Sequence, residues 1–437
     1  MRCTIVEVSA AREEHPQPRE RFNPVGLCVL FGFFYFIQGI GEPTEGLIAQ
    51  PVMSLLKSWG QNAEQIGTFF FLLGLPWTIK PIYGLISDFI PLAGYHRKSY
   101  LIVASAVTSA SLAVLYAIDL PAGDVYPLFF LLLLPTIGVA FSDVVIDALM
   151  IEKGQPHGLT GRLQSVQWGA IYAAEILAGS LGGYLSQHSQ QKLGFLLCGG
   201  VTLVALVLAA TVVSEKRQTV SRAQFETTLD LLRRAAGSRA ILAGGAFLFF
   251  LNFNPFTKSV LYLYMTGELA FSDQFYGNTS SLWGAAAMIG SLLYGFYCRR
   301  VPMTVLVHVS IVMSIASTVA YWAIHDEASA RAVRLVDGFT YATAAMVQLD
   351  LAAQICPPQA AGTLFALLMA LSNLGHGLST WFGGWCYQHT LQAWGNPLAF
   401  NLLVGIGALF TAGCWLIVPY LKPALPRPQS SNGMESG

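Results

Sequence analysis

Two carboxylates, Asp143 and Asp147, lie four residues apart in a long apolar stretch. That spacing places both on one side of a helix. Neighbouring carboxylates disfavour double ionisation, which favours a proton shared between them. The pair could therefore carry a proton or bind a ligand through paired hydrogen bonds. The alternative is a structural ion pair, because Lys80 and Asp143 are predicted to lie at the same depth in their helices.

A second group of charges combines Glu42 and Glu45 with the distant Lys258, each close to a proline in an apolar stretch. An ionisable group at the centre of a membrane helix costs roughly 2.5–3.5 kcal/mol or more, so it usually meets a cavity or a partner. Pro43 and Pro255 would free backbone carbonyls at the same level. Opposite charges in matching places predict an outer gate, or a Lys258 that receives an anionic substrate. The alternative is that these side chains snorkel to the membrane interface.

Further polar side chains interrupt the apolar stretches and predict the lining of a substrate path. Any one of them is more often a hydrogen bond between helices than a ligand contact, but their concentration favours a site. The candidates are Gln38, Asn252, Asn254, Gln348, Asp350, Asn373 and His376 for binding, and Gln164 and Gln167 for coupling or gating.

The sequence contains no constellation typical of an enzyme. It has no Gly-x-Ser-x-Gly elbow, no P-loop and no His-Glu-x-x-His motif, and the missing P-loop excludes a self-contained ATP-driven pump. Its 7 cysteines are scattered singly, so neither a metal site nor a disulfide framework is predicted. We expect no catalytic residues and no cofactor. A net charge of zero also argues against nucleic-acid binding.

The elements that position these residues are predicted to be membrane-spanning helices. Charged residues make up 11% of the 437-residue chain and apolar residues 54%, whereas a soluble domain carries about 25% charged residues. Apolar runs long enough to cross about 30 Å of hydrocarbon follow one another, and within lipid such runs must be helical. The twelve runs lie near 24–50, 63–87, 99–118, 125–152, 161–187, 193–214, 239–266, 274–298, 301–325, 331–356, 361–388 and 397–421.

The longest polar stretch after the N-terminal tail divides these helices into two bundles of six. Lysine and arginine concentrate in the tails, in this stretch and in the loops on the same side, so the positive-inside rule places both termini in the cytoplasm. We expect a multi-pass integral protein of the cell's inner or plasma membrane. The predicted parts are a tail (1–23), a first bundle (24–214), a connector (215–238), a second bundle (239–421) and a second tail (422–437).

Two six-helix halves are the layout of the major facilitator fold, in which the substrate binds near the midplane between the halves. Tyr-Gly pairs at 83–84 and 294–295 give the halves a weak internal similarity. Asp88 precedes a basic turn that contains Arg97 and Lys98, and this arrangement resembles the signature loop of major facilitators. The alternative is a loop that only follows the positive-inside rule.

The sequence resembles the folate–biopterin transporter family over most of its length. The similarity is clear to about residue 170 and thinner beyond, around 255–277. Residues 41–46 depart from the family's pattern. The motifs are Tyr-Phe-Ile-Gln-Gly (35–39), Pro-Trp-Thr-Ile-Lys-Pro-Ile-Tyr-Gly-Leu-Ile-Ser-Asp (76–88), Gly-Tyr-His-Arg-Lys-Ser-Tyr (94–100), Asp-Val-Val-Ile-Asp-Ala (143–148) and Leu-Gln-Ser-Val-Gln-Trp-Gly (163–169).

The resemblance implies a secondary active transporter that moves a folate- or pterin-like anion by alternating access. Its partners would be that small molecule, protons and the lipid bilayer, and it would act as a monomer. One alternative is a permease of the same fold for a muropeptide, an acyl-coenzyme A or a drug-like compound. Another is a membrane assembly factor that transports nothing, although intramembrane charges favour a transporter.

Overall fold

The computed structural model describes residues 23–215, 237–298, 300–356 and 361–421, together with five isolated positions between them (217, 226, 229, 230 and 233). Within these ranges the regular structure is helical and forms twelve spanning segments in two sets of six, as predicted. The tail before residue 23, most of the connector 215–238 and the tail 422–437 lie outside the described residues. The predicted boundaries of those parts stay predictions.

Spanning segments one to six form the first half. Short 3₁₀ turns, Leu75–Ile79 and Gln155–His157, follow α3 and α6. The helices are α1 (Pro24–Gly41), α2 (Ala49–Ser58), α3 (Ala63–Gly74), α4 (Lys80–Phe89), α5 (Lys98–Ala117), α6 (Val125–Gly154), α7 (Thr160–Gln187) and α8 (Gln191–Thr211).

Segments seven to twelve form the second half. A π-helical turn, Tyr264–Glu268, follows α10, and 3₁₀ turns, Tyr321–Ala323 and Cys414–Leu416, follow α12 and α15. The helices are α9 (Arg239–Asn252), α10 (Lys258–Leu263), α11 (Asp273–Tyr297), α12 (Met303–Ala320), α13 (Glu327–Ile355), α14 (Ala361–Trp394), α15 (Asn396–Gly413) and α16 (Val418–Leu421).

The first spanning segment is broken, although the sequence predicts one continuous run over 24–50. The helix ends at Gly41, because Pro43 has no backbone N–H with which to continue it. The chain then folds back over the end of α1 before α2 begins. A β-carbon on Gly46 would lie 2.6 Å from the carbonyl oxygens of Gly39 and Ile40, so this return of the chain requires glycine.

The seventh segment is broken at the corresponding place, between α9 and α10. Residues 253–257 are non-helical around Pro255, and Thr257 is extended. A β-carbon on Gly383 of α14 would lie 2.0 Å from the Pro255 carbonyl oxygen. The break therefore packs directly against the eleventh segment.

The tenth segment begins earlier than the sequence predicts, at Glu327 instead of 331. Asp326 and Ser329 form a capping box, in which each side chain bonds the other residue's backbone N–H. The helix consequently starts one turn before the apolar run. This displacement decides where Arg334 lies.

Seven segments are long and apolar enough to cross a membrane by length and composition alone. The other five are the fifth, seventh, eighth, tenth and eleventh. They are interrupted or more polar, and they include α7, α11, α13 and α14, which pack at or near the interface between the halves. The seven are Pro24–Gly41, Ala63–Phe89, Lys98–Ala117, Val125–His157, Gln191–Thr211, Met303–Ala323 and Asn396–Leu421.

The buried apolar side chains show which ends of the two halves touch. We call the side on which α1 begins and α16 ends the terminal face, and the other side the distal face. One large core near the distal face combines residues of both halves, such as Ile66 and Tyr262. Toward the terminal face there are two separate cores, one within 241–421 and one within 28–213. The halves are therefore closed at the distal face and separated toward the terminal face.

Candidate functional site

Lys258 opens α10 directly after the break at 253–257. Its ammonium forms an ion pair with Glu45 and lies 3.5 Å from Glu175 Oε1. It also lies 5.3 Å from the centroid of the Trp283 ring. Glu45 and Glu175 belong to the first half, so this one cation joins the halves. The structure pairs Lys258 with Glu45, as the predicted gate requires, and the gating role itself stays a prediction.

Glu45 is contacted from the eleventh segment as well. His376 Nε2 lies 3.5 Å from Glu45 Oε1, and the two side chains are 53% and 44% exposed. These residues meet across the interface between the halves, so their exposure indicates a solvent-accessible opening there. Glu45 therefore lines the opening, where it contacts Lys258 and His376.

Glu42 takes no part in this gate, and the predicted pairing of Glu42 with Lys258 is wrong. Its buried carboxylate accepts hydrogen bonds from Thr44 Oγ1 at 2.7 Å and Trp77 Nε1 at 3.2 Å. It also accepts one from the backbone N–H of Glu45. The return of the chain after Gly41 turns this side chain inward, where it satisfies the donors that the break exposes.

A buried arginine next to the gate was missed by the sequence reasoning. Arg334 is 2% exposed. Its Nη1 donates to Tyr321 Oη at 2.8 Å and to Asp337 Oδ2 at 3.1 Å. The guanidinium carbon lies 5.7 Å from the Trp283 centroid, so Arg334 and Lys258 approach the same ring.

A tenth helix that started at 331, as the apolar run predicts, would leave Arg334 in its first turn at the distal face. The sequence signal for the earlier start is the Asp326-x-x-Ser329 capping box. The i, i+3 spacing of Arg334 and Asp337 is a second signal, since it suits an ion pair on one helix. Glu175, in the fifth segment, is also absent from the predicted site residues.

Lys80 and Asp143 form the structural ion pair that the sequence offered as an alternative. Lys80 Nζ lies 2.5 Å from Asp143 Oδ2 and 4.5 Å from the Trp77 centroid. Gln38 Nε2 donates to Asp143 Oδ1 at 2.6 Å. Asp143 is thus neutralised and hydrogen-bonded within the first half.

Asp147 has partners of its own. Tyr35 Oη donates to Asp147 Oδ1 at 2.5 Å, and Gln167 Nε2 donates to the same oxygen at 3.2 Å. Since Lys80 pairs with Asp143, Asp147 is held by neutral donors. The coupling role of the two aspartates stays a prediction. Gln164, one turn away on α7, is exposed.

The polar residues of the second half divide between the interface and the bundle interior. Asn252 Nδ2 donates to Gln348 Oε1 at 2.6 Å. Asp350 accepts from Tyr294 Oη at 2.9 Å and from Gln354 Nε2 at 3.1 Å. These contacts join the seventh with the tenth segment and the eighth with the tenth.

Asn373 and Asn254 differ in what they contact. Asn373 Nδ2 donates to the Trp77 carbonyl oxygen at 3.1 Å, which is a bond between the halves. Asn254 Nδ2 instead donates to Thr318 Oγ1 at 2.7 Å. Its side chain also packs against Gly407, so it lies between the seventh, ninth and twelfth segments. The break thus turns Asn254 away from the interface, and this position does not support the prediction that it binds substrate.

The basic loop after α4 is held by acidic residues. Arg97 lies 2.6 Å from Asp88 and 2.8 Å from Glu152. Glu215, after the sixth segment, accepts hydrogen bonds from the backbone N–H groups of Arg97 and Lys98. The loop thus ties three segments of the first half together at the terminal face.

Several side-chain hydrogen bonds and ion pairs join the halves at the midplane and the distal side. Besides those of Lys258, they include Gln50 Nε2 to the Asp273 carbonyl oxygen at 2.7 Å and Lys57 Nζ to Thr266 Oγ1 at 2.8 Å. Within the described ranges, no three potential ligands come close enough to hold a metal ion. The halves are therefore in contact from the midplane to the distal face, and the opening lies on the terminal side of these contacts.

Comparison with known proteins agrees with this architecture. The family described as the BT1 family matches residues 38–424. The folate-biopterin transporter of Synechocystis sp. is 31% identical over 360 residues, which cover 79% of this chain and 71% of that protein. Probable folate-biopterin transporter 4 of Arabidopsis thaliana is 24% identical over 443 residues, or 84% and 89% of the two chains.

The crystal structure of a D-xylose-proton symporter superposes with a TM-score of 0.70 at 15% identity, and it covers 91% of this chain and 97% of that chain. At that identity the likeness concerns the fold alone. The predicted major facilitator fold is thereby confirmed.

Proposed function

The chain belongs to the BT1 family, and on that premise we propose that it moves a folate- or pterin-like organic anion across a membrane by alternating access. The observation that carries the proposal is Lys258, a cation contributed by one half and held by carboxylates of the other at the closed end of an opening. The names of the relatives in Synechocystis and Arabidopsis support the substrate class.

The gate suggests how an anion would open it. A substrate carboxylate that enters from the terminal face competes with Glu45 for the Lys258 ammonium, since both are acceptors for the same charge-assisted bond. Loss of the bond between Lys258 and Glu45 removes a link between the halves. Only a ligand that binds the two conformations differently can shift their populations, and replacement of this link supplies such a difference.

Aromatic side chains that could stack on a flat substrate ring lie next to Lys258. Trp283 lies beside Lys258, and Tyr341, which is 46% exposed, lies 5.2 Å from it between ring centroids. A pterin ring can stack on such side chains, as aromatic rings do at 4.5–7 Å. The binding residues would then be Lys258, Gln38, Asn252, Gln348, Asn373 and His376, with Asp143, Asp147 and Asp350 nearer the terminal face.

The same arrangement supports a proposal for the orientation and the assembly state. The concentration of lysine and arginine at the terminal face supports a cytoplasmic position for both termini. The charged side chains that form the gate all belong to one chain, and this supports a monomer as the transporting unit.

Reconstituted vesicles test the proposal. Purified protein in proteoliposomes preloaded with folic acid should exchange it for external radiolabelled folic acid, whereas vesicles without protein should not. Biopterin should compete for this exchange. Lys258→Gln should weaken the binding of folic acid, which carries carboxylates, more than the binding of neutral biopterin. Exchange of a muropeptide, an acyl-coenzyme A or a drug-like compound in place of both would overturn the substrate class, and exchange of none would favour an assembly factor.

A further inference from the structure

The closed gate holds more acidic than basic side chains. Among the described residues, Glu45 and Glu175 both approach Lys258, while Arg334 is already paired with Asp337. Two carboxylates therefore share one ammonium, and of the two the Glu175 side chain has little contact with water, since it is 15% exposed. An uncompensated charge is strongly disfavoured there, and such a group takes up a proton instead.

We propose that Glu175 binds a proton at the closed gate and that this proton is taken up together with an anionic substrate. The inference rests on the proposed function and deepens it, because it names the residue that couples the substrate to a proton. The site is separate from Asp143 and Asp147, which lie within the first half and contact other partners.

Geometry distinguishes Glu175 from the other two candidates. The Glu45 side chain is 44% exposed and forms the closest contact with Lys258, so water and the ammonium both stabilise its charge. The Glu175 side chain is only 15% exposed, and at 3.5 Å it lies at the outer limit of a bond to Lys258. His376 contacts Glu45 instead and is 53% exposed. Glu175 is therefore the carboxylate that is least able to remain ionised.

The other groups around Glu175 do not change the count of two carboxylates for one ammonium. Arg334 is within electrostatic reach of Glu175, but Asp337 offsets its charge. The titratable and charged groups around Glu175 are Glu45 from the first break, Tyr172 on its own helix, Lys258 from α10, Tyr276 from α11, Arg334 and Tyr341 from α13, and His376 from α14.

Arrival of the substrate strengthens the demand for a proton. A substrate carboxylate bound to Lys258 places a third negative group around one ammonium. The proton that Glu175 has already taken from water in the opening offsets this third charge, and no covalent bond of the substrate changes. Release of the substrate on the other side restores the contact between Glu175 and Lys258, and the proton leaves to water.

Transport against a pH gradient tests the assignment. Proteoliposomes receive radiolabelled folic acid on the acidic side of a gradient of one pH unit. Each coupled proton then permits up to about tenfold extra accumulation, since a tenfold ratio corresponds to about 1.4 kcal/mol. The wild type should accumulate folic acid in response to the gradient. Glu175→Gln should still exchange folic acid but should not accumulate it, and Glu175→Asp should recover the response.

Glu64→Gln is the matched control. Glu64 forms another carboxylate–histidine contact between the halves, at 4.0 Å from His389, and its side chain is 38% exposed. This variant should respond to the gradient as the wild type does. If Glu175→Gln accumulated folic acid as the wild type does, the proposal would be overturned. The same would follow if His376→Gln lost the accumulation while Glu175→Gln kept it.

Infrared spectroscopy provides a readout that does not depend on transport. Purified wild-type protein at neutral pH should show the carbonyl stretch of a protonated carboxyl group, and Glu175→Gln should lack this band. The same band in both proteins would exclude Glu175 as the proton site. Presence of the band without any exchange of folic acid or biopterin would leave the proton site standing and refute the proposed substrate.

Discussion

Lys80 and Asp143 lie 2.5 Å apart, between the second and fourth spanning segments, and Gln38 completes the pair from the first. One ion pair thus connects three helices of the first half. The Lys80 and Asp143 side chains are 15% and 7% exposed, so neither charge has water to replace its partner. Removal of one partner leaves an uncompensated buried charge, which typically costs 3–5 kcal/mol.

We therefore expect Asp143→Asn to lower the free energy of unfolding by about 3 kcal/mol or more, and Lys80→Met combined with it to regain most of that loss. Thermal unfolding of the purified protein in detergent measures both. Lys192→Gln is the control, because the pair of Lys192 with Asp119 is exposed and should be worth at most about 1 kcal/mol. Full pH-dependent transport by the double variant would show that Asp143 carries no proton.

A separate prediction concerns Asp147, whose carboxylate accepts hydrogen bonds from neutral donors. If it carries a proton during transport, Asp147→Asn should flatten the pH dependence of folic acid uptake while exchange persists. Initial uptake rates across a pH series in proteoliposomes measure this. Tyr35→Phe removes one hydrogen bond and keeps the carboxylate, so its pH dependence should be displaced but not flattened. An unchanged profile in Asp147→Asn would leave the residue a structural role.

The gate predicts which charge exchange succeeds. Lys258→Glu and Glu45→Lys each place like charges in contact, at a cost of several kcal/mol, so each should lose at least about tenfold in exchange rate. The double variant Lys258→Glu with Glu45→Lys should recover most of the rate. Lys258→Glu with Glu42→Lys should not recover it, because Glu42 bonds Thr44 and Trp77 instead. Recovery in the Glu42 combination would mean that Glu42 replaces Glu45 as the partner during transport.

The number of helices, their order and their division into halves could be predicted because each depends on local composition. An apolar run that is long enough to span a membrane can be recognised from its composition. The pairing of Lys80 with Asp143 could be predicted as well, since the two residues precede Asp88 and Glu152, at the terminal ends of their segments, by similar numbers of residues.

What could not be predicted lies at the two breaks. Periodicity fixes the direction of a side chain only while the helix continues, and the chain leaves the helix at Gly41 and again at Phe253. Glu42 and Asn254 therefore turn away from the interface, whereas Glu45 and Lys258 meet across it. The place of Arg334 depends on a local signal of another kind, because a capping box moves the start of its helix to Glu327.

Closure of the distal face depends on close backbone contact between the fifth and eighth segments. A β-carbon on Gly179 would lie 2.6 Å from the Ser281 backbone nitrogen and 2.7 Å from the Gly277 carbonyl oxygen. Both are backbone atoms, so the helices must separate to admit a methyl group. Overpacking of this kind costs about 1–3 kcal/mol, and it acts only on the conformation in which the helices touch.

Gly179→Ala should therefore shift the population toward a distally open conformation, by about tenfold for each 1.4 kcal/mol. Spin labels at Gln187 and Gln274, whose contact spans the distal face at 3.4 Å, would report this as a longer distance in a background without native cysteines. Gly200→Ala is the matched control, because its added methyl group would meet no atom within 4 Å. The same label distances in both variants would mean that the helices accommodate the methyl group without opening, and the contact at Gly179 would then not control the gate.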